Sequence, residues 1–197
     1  MKSVAATLTH STAEARTSPK LMNSDFKLSI LALDEVSDSL PRSITHAVSL
    51  VDPGARLPAS LNAIAASQRM ALWMHDALDA NKNRRPPTLA DVPALCDFAD
   101  CIDTEAPVHL LVHCHEGRSR SSAAAAILLM RMGVGTPTYV FDLILATRCP
   151  VWPNWTMIEL GDTALRCGGA LEQACRQAYA YVRKRHPAWV DDPIGRA

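Results

Sequence analysis

Apolar positions in this chain fall into short extended runs in its first half and long helical stripes in its second. Residues 26–33 and 45–51 read as strands, the second ending at the turn signal Asp52-Pro53-Gly54. Residues 70–74 read as a third strand running into His75-Asp76, and residues 81–87 as a polar loop. Thr88 is placed to cap a helix, with Asp91 at the acidic third position of a capping box. That helix carries Leu95, Phe98 and Ile102 inward and ends near Asp103. Residues 108–112 form a nearly continuous apolar run, the pattern of a buried parallel strand. Residues 119–132 are apolar around most of a helical circumference and are closed by Gly133. Thr136-Pro137 opens a further helix running to about Cys149, and Pro150 and Pro153 break the chain. A last helical region spans roughly 155–185, interrupted at Gly168-Gly169.

Strands alternating with helices predict an α/β fold, a short and mainly parallel sheet with helices on both faces. Residues 1–25 are rich in Ser, Thr and Ala without a period and read as a poorly ordered tail, leaving 26–190 as one domain. The 197 residues suit a single core. Lysine plus arginine equals aspartate plus glutamate at 20 each, so no global basic excess points to nucleic acid or a membrane surface. No run is long and apolar enough for a membrane span. A cytoplasmic protein is expected. The six cysteines show no paired spacing, so they read as reduced thiols, five of them core residues.

The chemistry concentrates between the strand at 108–112 and the helix at 119–132, in His113-Cys114-His115-Glu116-Gly117-Arg118-Ser119-Arg120. A loop at a helix N-terminus offers unpaired N–H groups and a partial positive charge, a ready anion site. Gly117 permits a backbone turn that a side chain resists. Arg120 offers a planar fork of donors to two phosphate oxygens. The donors that attract phosphate would also stabilise a thiolate on Cys114, an activated nucleophile. His109, His113, Cys114 and His115 invite a metal reading. Neighbours on an extended segment point to opposite sides, however, and no distant ligand pair is evident, so neither metal nor cofactor is expected. Trp152 and Trp155 read as core packing, and Arg84 and Arg85 as a solvated loop face.

The run His-Cys-x-x-Gly-x-x-Arg-Ser from His113 to Ser121 resembles the signature of cysteine-dependent protein tyrosine phosphatases. Gly117-Arg118-Ser119-Arg120-Ser121 looks like the dual-specificity subgroup. Pro153-Asn154 is similar to an element of several short bacterial tyrosine phosphatase-like proteins. The resemblance implies a tyrosine-phosphatase-like fold and phosphate monoester hydrolysis through a phosphocysteine on Cys114. Arg120 and the amides of residues 115–120 (His115, Glu116, Gly117, Arg118, Ser119) would hold the phosphoryl oxygens. Ser121 would hydrogen-bond the thiolate, and His113 would tune the cysteine and order the loop. An aspartic acid from a separate loop would protonate the leaving oxygen: Asp76 by position, with Asp79 in reserve. Asn154 is a supporting residue or simply shapes a turn. Glu116 stands where the family usually has a small residue and should point outward. With Arg118 and His115, the loop resembles those of members acting on phosphoinositides. The resemblance implies a phosphorylated protein or small phosphate ester as substrate, alternatively a phosphoinositide, inositol phosphate or other lipid head group. A catalytically silent phosphate-binding module is a further alternative.

Overall fold

The computed structural model describes residues 26–36, 40–78 and 84–190. The predicted tail and Asp79 lie outside them. Four parallel strands form one sheet: β1 (Lys27–Ala32), β2 (His46–Val51), β3 (Arg69–Trp73) and β4 (His109–Cys114), in the order β1-β4-β2-β3. The central strands β2 and β4 are buried along nearly their whole length, which is why they read as continuous apolar runs. The edge strands β1 and β3 are mixed.

The helices are α1 (Asp91–Asp100), α2 (Arg120–Arg131), α3 (Pro137–Thr147), α4 (Trp155–Leu165), α5 (Ala170–Arg185) and the short α6 (Pro187–Val190). Among the described residues they cover one face and not both; the parallel sheet flanked by helices is as expected, and only the expectation of helices on both faces is corrected. Val48, Leu50, Leu110 and Val112 pack with the helices, whereas Ala47 and Leu111 pack under Val36, Ile44, Leu61 and Ile64. Those last residues belong to irregular segments and a 3₁₀ turn (Ala59–Ala63). The reason is topological. The connections β1→β2 and β2→β3 run in one direction along the sheet, and β3→β4 runs back. Right-handed crossovers put opposite directions on opposite faces. The two forward connections, punctuated by Pro41, Pro53, Gly54 and Pro58, carry no helical period. The return connection carries α1.

α2 is the central helix, with residues 120–129 all buried. Its alanines, Ala123–Ala126, let the sheet and the neighbouring helices approach closely. α1 starts three residues later than Thr88. Asp91 Oδ2 accepts from Thr88 N (2.7 Å) and Thr88 Oγ1 (2.8 Å), and Asp91 N donates to Thr88 O. The capping-box carboxylate is thus in place, but it closes a tight turn before the helix proper. α1 buries Val92, Leu95 and Ala99, and Phe98 is only half-buried. α3 ends at Thr147, two residues short of Cys149, with Arg148 already extended (φ −149°, ψ 123°). Of the cysteines other than Cys114, only Cys175 is buried, its thiol pushed up to about 12 by burial. Cys101 and Cys149 are exposed, so the expectation of five core cysteines is corrected. Among the described residues no helix is long and apolar enough to cross a membrane.

Candidate active site

The loop between β4 and α2 is shaped by bonds to its carbonyl groups. His115 O accepts from Leu33 N (3.0 Å), and Glu116 O from Arg148 Nη2 (3.4 Å). Arg118 O accepts from Trp152 N (3.1 Å) and Ser122 Oγ (2.5 Å). Ser119 O accepts from Asn154 N (3.2 Å), Ser122 Oγ (2.9 Å) and the helical Ala123 N. In a planar trans peptide the following N–H points the opposite way. Outward carbonyls at 115, 116, 118 and 119 therefore turn the amides of Glu116, Gly117, Ser119 and Arg120 to the other side of the loop. Gly117 has φ +64°, and a Cβ there would lie 2.5 Å from Ala32 N and from Leu31 C. The glycine is required twice, by conformation and by the contact of the loop with the end of β1.

Cys114 Sγ lies at the start of this loop, buried, and donates to Ser121 Oγ at 3.2 Å. The same pair reverses roles when the sulfur is a thiolate, since a serine hydroxyl can donate. Arg120 is 3% exposed. Its Nη1 donates to Asp52 Oδ1 (2.5 Å) and Met74 O (2.6 Å). Its Nε has no hydrogen-bond partner among the described residues and stands 4.0 Å from Asp76 Oδ2. A guanidinium fixed at one nitrogen, with a buried N–H to spare, is equipped to bind an oxyanion.

Asp76 follows β3 and reaches the same loop. Its Oδ1 accepts from Ser119 Oγ (2.8 Å) and Asn154 Nδ2 (2.8 Å). Asn154 does more than shape a turn. Its Oδ1 caps α4 through Met157 N (3.1 Å) while its amide holds Asp76. His113 is placed differently from its expected role. Strand alternation puts it on the sheet face opposite Cys114. There it sits beside Ser49 in the β2–β4 register, with Nε2 2.7 Å from Ser49 Oγ. Burial lowers its pKa to about 4, so it is a neutral tie between the central strands.

Glu116 is exposed, as expected of an outward side chain. His115, Glu116 and Arg118 line a cleft of about 580 Å³ with Asp34, Glu35, Arg56 and Arg148. Arg85 is not a free loop cation: Nη2 pairs with Asp91 (2.7 Å) and Nη1 donates to Trp73 O. Trp152 stacks on Tyr179 at 4.1 Å, in line with a packing role. Sequence reasoning missed Asp52, read only as part of a turn signal. Its pairing with Arg120, 68 residues away, depends on β2 lying beside β4 and has no local sequence signal.

No family model matches the chain, and no curated protein is similar to it in sequence. Solved structures do match. The chain is similar to human DUSP28 at 18% identity, covering 72% of this chain and 94% of that one, with a TM-score of 0.55. A single-substitution variant of the human protein matches at 16% identity over 76% and 99% of the two chains, with a TM-score of 0.52. At such identities the likeness is one of architecture, and it agrees with the parallel sheet and the helical layer described above. The chain has the fold of the dual-specificity phosphatases.

Proposed function

We propose that this protein hydrolyses phosphate monoesters, phosphorylated protein side chains in particular, through a phosphocysteine on Cys114. The observation that carries the reading is the assembly at one loop: a buried cysteine against Ser121, four amides turned to one side, and Arg120 with a spare buried donor. The Cys114 thiolate attacks phosphorus, and the P–O bond to the leaving group breaks. The amides and Arg120 take up charge on the three equatorial oxygens. Asp76 protonates the departing oxygen and then accepts a proton from the water that cleaves the S–P bond, with Ser121 stabilising the released thiolate. Asn154 and Ser119 occupy Asp76 Oδ1, leaving Oδ2 to carry the transferred proton.

The cleft beside the loop supports a phosphoprotein over a polyanionic lipid head group. Its cations Arg56, Arg118 and Arg148 are matched by Asp34, Glu35 and Glu116, so additional phosphates gain no net attraction. The test is turnover of p-nitrophenyl phosphate, phosphotyrosyl and phosphoseryl peptides, and phosphoinositides by the wild-type chain and by Cys114→Ser. Loss of kcat on the order of 10⁴-fold or more is expected in the variant. Retained turnover refutes the nucleophile. A preference for phosphoinositides refutes the protein substrate while leaving the chemistry standing.

A further inference from the structure

One segment, residues 148–154, supplies outside donors to three of the loop carbonyls: Arg148 to Glu116, Trp152 N to Arg118 and Asn154 N to Ser119. Two of these are main-chain bonds fixed by the path of the chain. The first is made by a side chain and depends on what holds that side chain. Arg148 Nη1 donates to Glu35 Oε2 (2.6 Å) and to Ile30 O (3.3 Å), and Glu35 Oε2 also accepts from Ala32 N (2.6 Å). Burial pushes the Glu35 carboxyl up, but the Ala32 N–H and Arg148 pull it further down, so it lies below its ordinary value. Gly117, where a Cβ would run into Leu31 and Ala32, is the next residue after the carbonyl that Arg148 reaches at 3.4 Å.

We propose that Arg148 and Glu35 form a clasp that fixes the peptide between Glu116 and Gly117, making Arg148 a positioning residue for the phosphate cradle. The clasp joins the end of β1, the turn after it, the end of α3 and the loop. With it in place the Glu116 carbonyl is held toward Arg148 and the Gly117 N–H toward the opposite side. Without it, that peptide can rotate and present an oxygen where the cradle needs a hydrogen. The inference rests on the phosphatase reading, but it concerns the shape of the loop and not the nucleophile.

The probe is tungstate, an inorganic oxyanion with no organic body to touch the cleft, titrated by calorimetry against the wild type, Glu35→Ala, Arg148→Lys and Arg148→Met. Glu35→Ala separates clasp from charge by sign. Removing a negative charge near an anion site tightens binding if electrostatics alone operates, whereas the clasp predicts weakening of about tenfold. Arg148→Lys keeps the charge but loses the fork that reaches separate acceptors, so it should weaken tungstate about as much as Arg148→Met. Glu35 is exposed and Arg148 is half-buried with its guanidinium at the rim of the cleft, so melting temperatures should stay within a few degrees of wild type. In turnover of an aryl phosphate the clasp variants should lose kcat/KM in step with tungstate affinity. Unchanged or tighter tungstate binding by Glu35→Ala, or full rescue by Arg148→Lys, overturns the clasp. If instead the wild type neither turns over phosphate esters nor binds tungstate, it is the phosphatase reading that fails.

Discussion

Protonation of His113 should cost the folded protein stability in mild acid. The side chain is fully buried between β2 and β4, and Nδ1 has no hydrogen-bond partner among the described residues. Burial disfavours the imidazolium and sets the folded pKa at about 4, against 6.5 for the free side chain. In the window between these values the unfolded chain binds the proton and the folded chain does not. Stability is therefore complete above pH 6.5, falls as pH drops, and levels off below about 4. From pH 7 to pH 5 the loss from this group alone is about 2 kcal/mol, reaching about 3 kcal/mol by pH 4. The assay is urea unfolding at pH 7, 6 and 5 for wild type and His113→Gln, which keeps a polar group for Ser49 but cannot titrate. Packing lost in the variant shifts its midpoint by the same amount at every pH. The pH-dependent part of the difference isolates the histidine, and the two proteins should converge as pH falls. If the difference is the same at pH 7 and pH 5, or if NMR shows the imidazole charged at pH 6 in the folded state, the burial argument is wrong.

Three further outcomes follow from the site. Asp76→Asn should lower kcat about 10² to 10⁴-fold on phenyl phosphate, and far less on an aryl ester whose leaving group needs no proton; equal losses on both would remove Asp76 from the acid role. Gly117→Ala should lower kcat/KM about 100-fold, because a Cβ 2.5 Å from the Ala32 nitrogen forces the loop or the end of β1 to move. Wild-type kinetics in that variant would show that the loop does not need this contact. Asp52→Asn keeps an acceptor for Arg120 Nη1 but removes the charge, so inhibition by inorganic phosphate should tighten about threefold; weaker inhibition would show that the carboxylate charge itself is needed to hold Arg120.

Elements set by local pattern were legible in the sequence. β4 and α2 stood out because a strand buried on both faces and a helix buried all round leave an unbroken apolar signature. The break between α4 and α5 was marked by Gly168 and Gly169, both of which adopt positive φ. The layer arrangement was not legible, because it depends on the order in which strands enter the sheet. Asp52, Glu35 and Arg148 were missed beside the loop for a related reason. Their partners lie 68, 113 and 32 residues away, in contact relations that no local spacing encodes. Asp52 looked like a turn residue and is one; that it also holds Arg120 follows only from β2 lying next to β4.

The motif and its surroundings therefore do different jobs. Residues 114–121 supply a sulfur, a glycine, a guanidinium and a set of amides, but nothing in that stretch decides which way its peptides face. A free loop of this composition has carbonyls as able to turn inward as amides, and an inward carbonyl repels phosphate. Orientation comes from Leu33 N, Arg148, Trp152 N and Asn154 N, which occupy the carbonyls from outside, from Ser122 Oγ and Ala123 N in the first turn of α2, and from β1, which leaves no room for a side chain at Gly117. By the same logic Arg120 is aimed by Asp52 and Met74, and Asp76 by Asn154 and Ser119. Donors distant in sequence thus complete an orientation that Ser122 and the first turn of α2 only begin. A chain carrying the motif without them would keep the signature and lose the cradle.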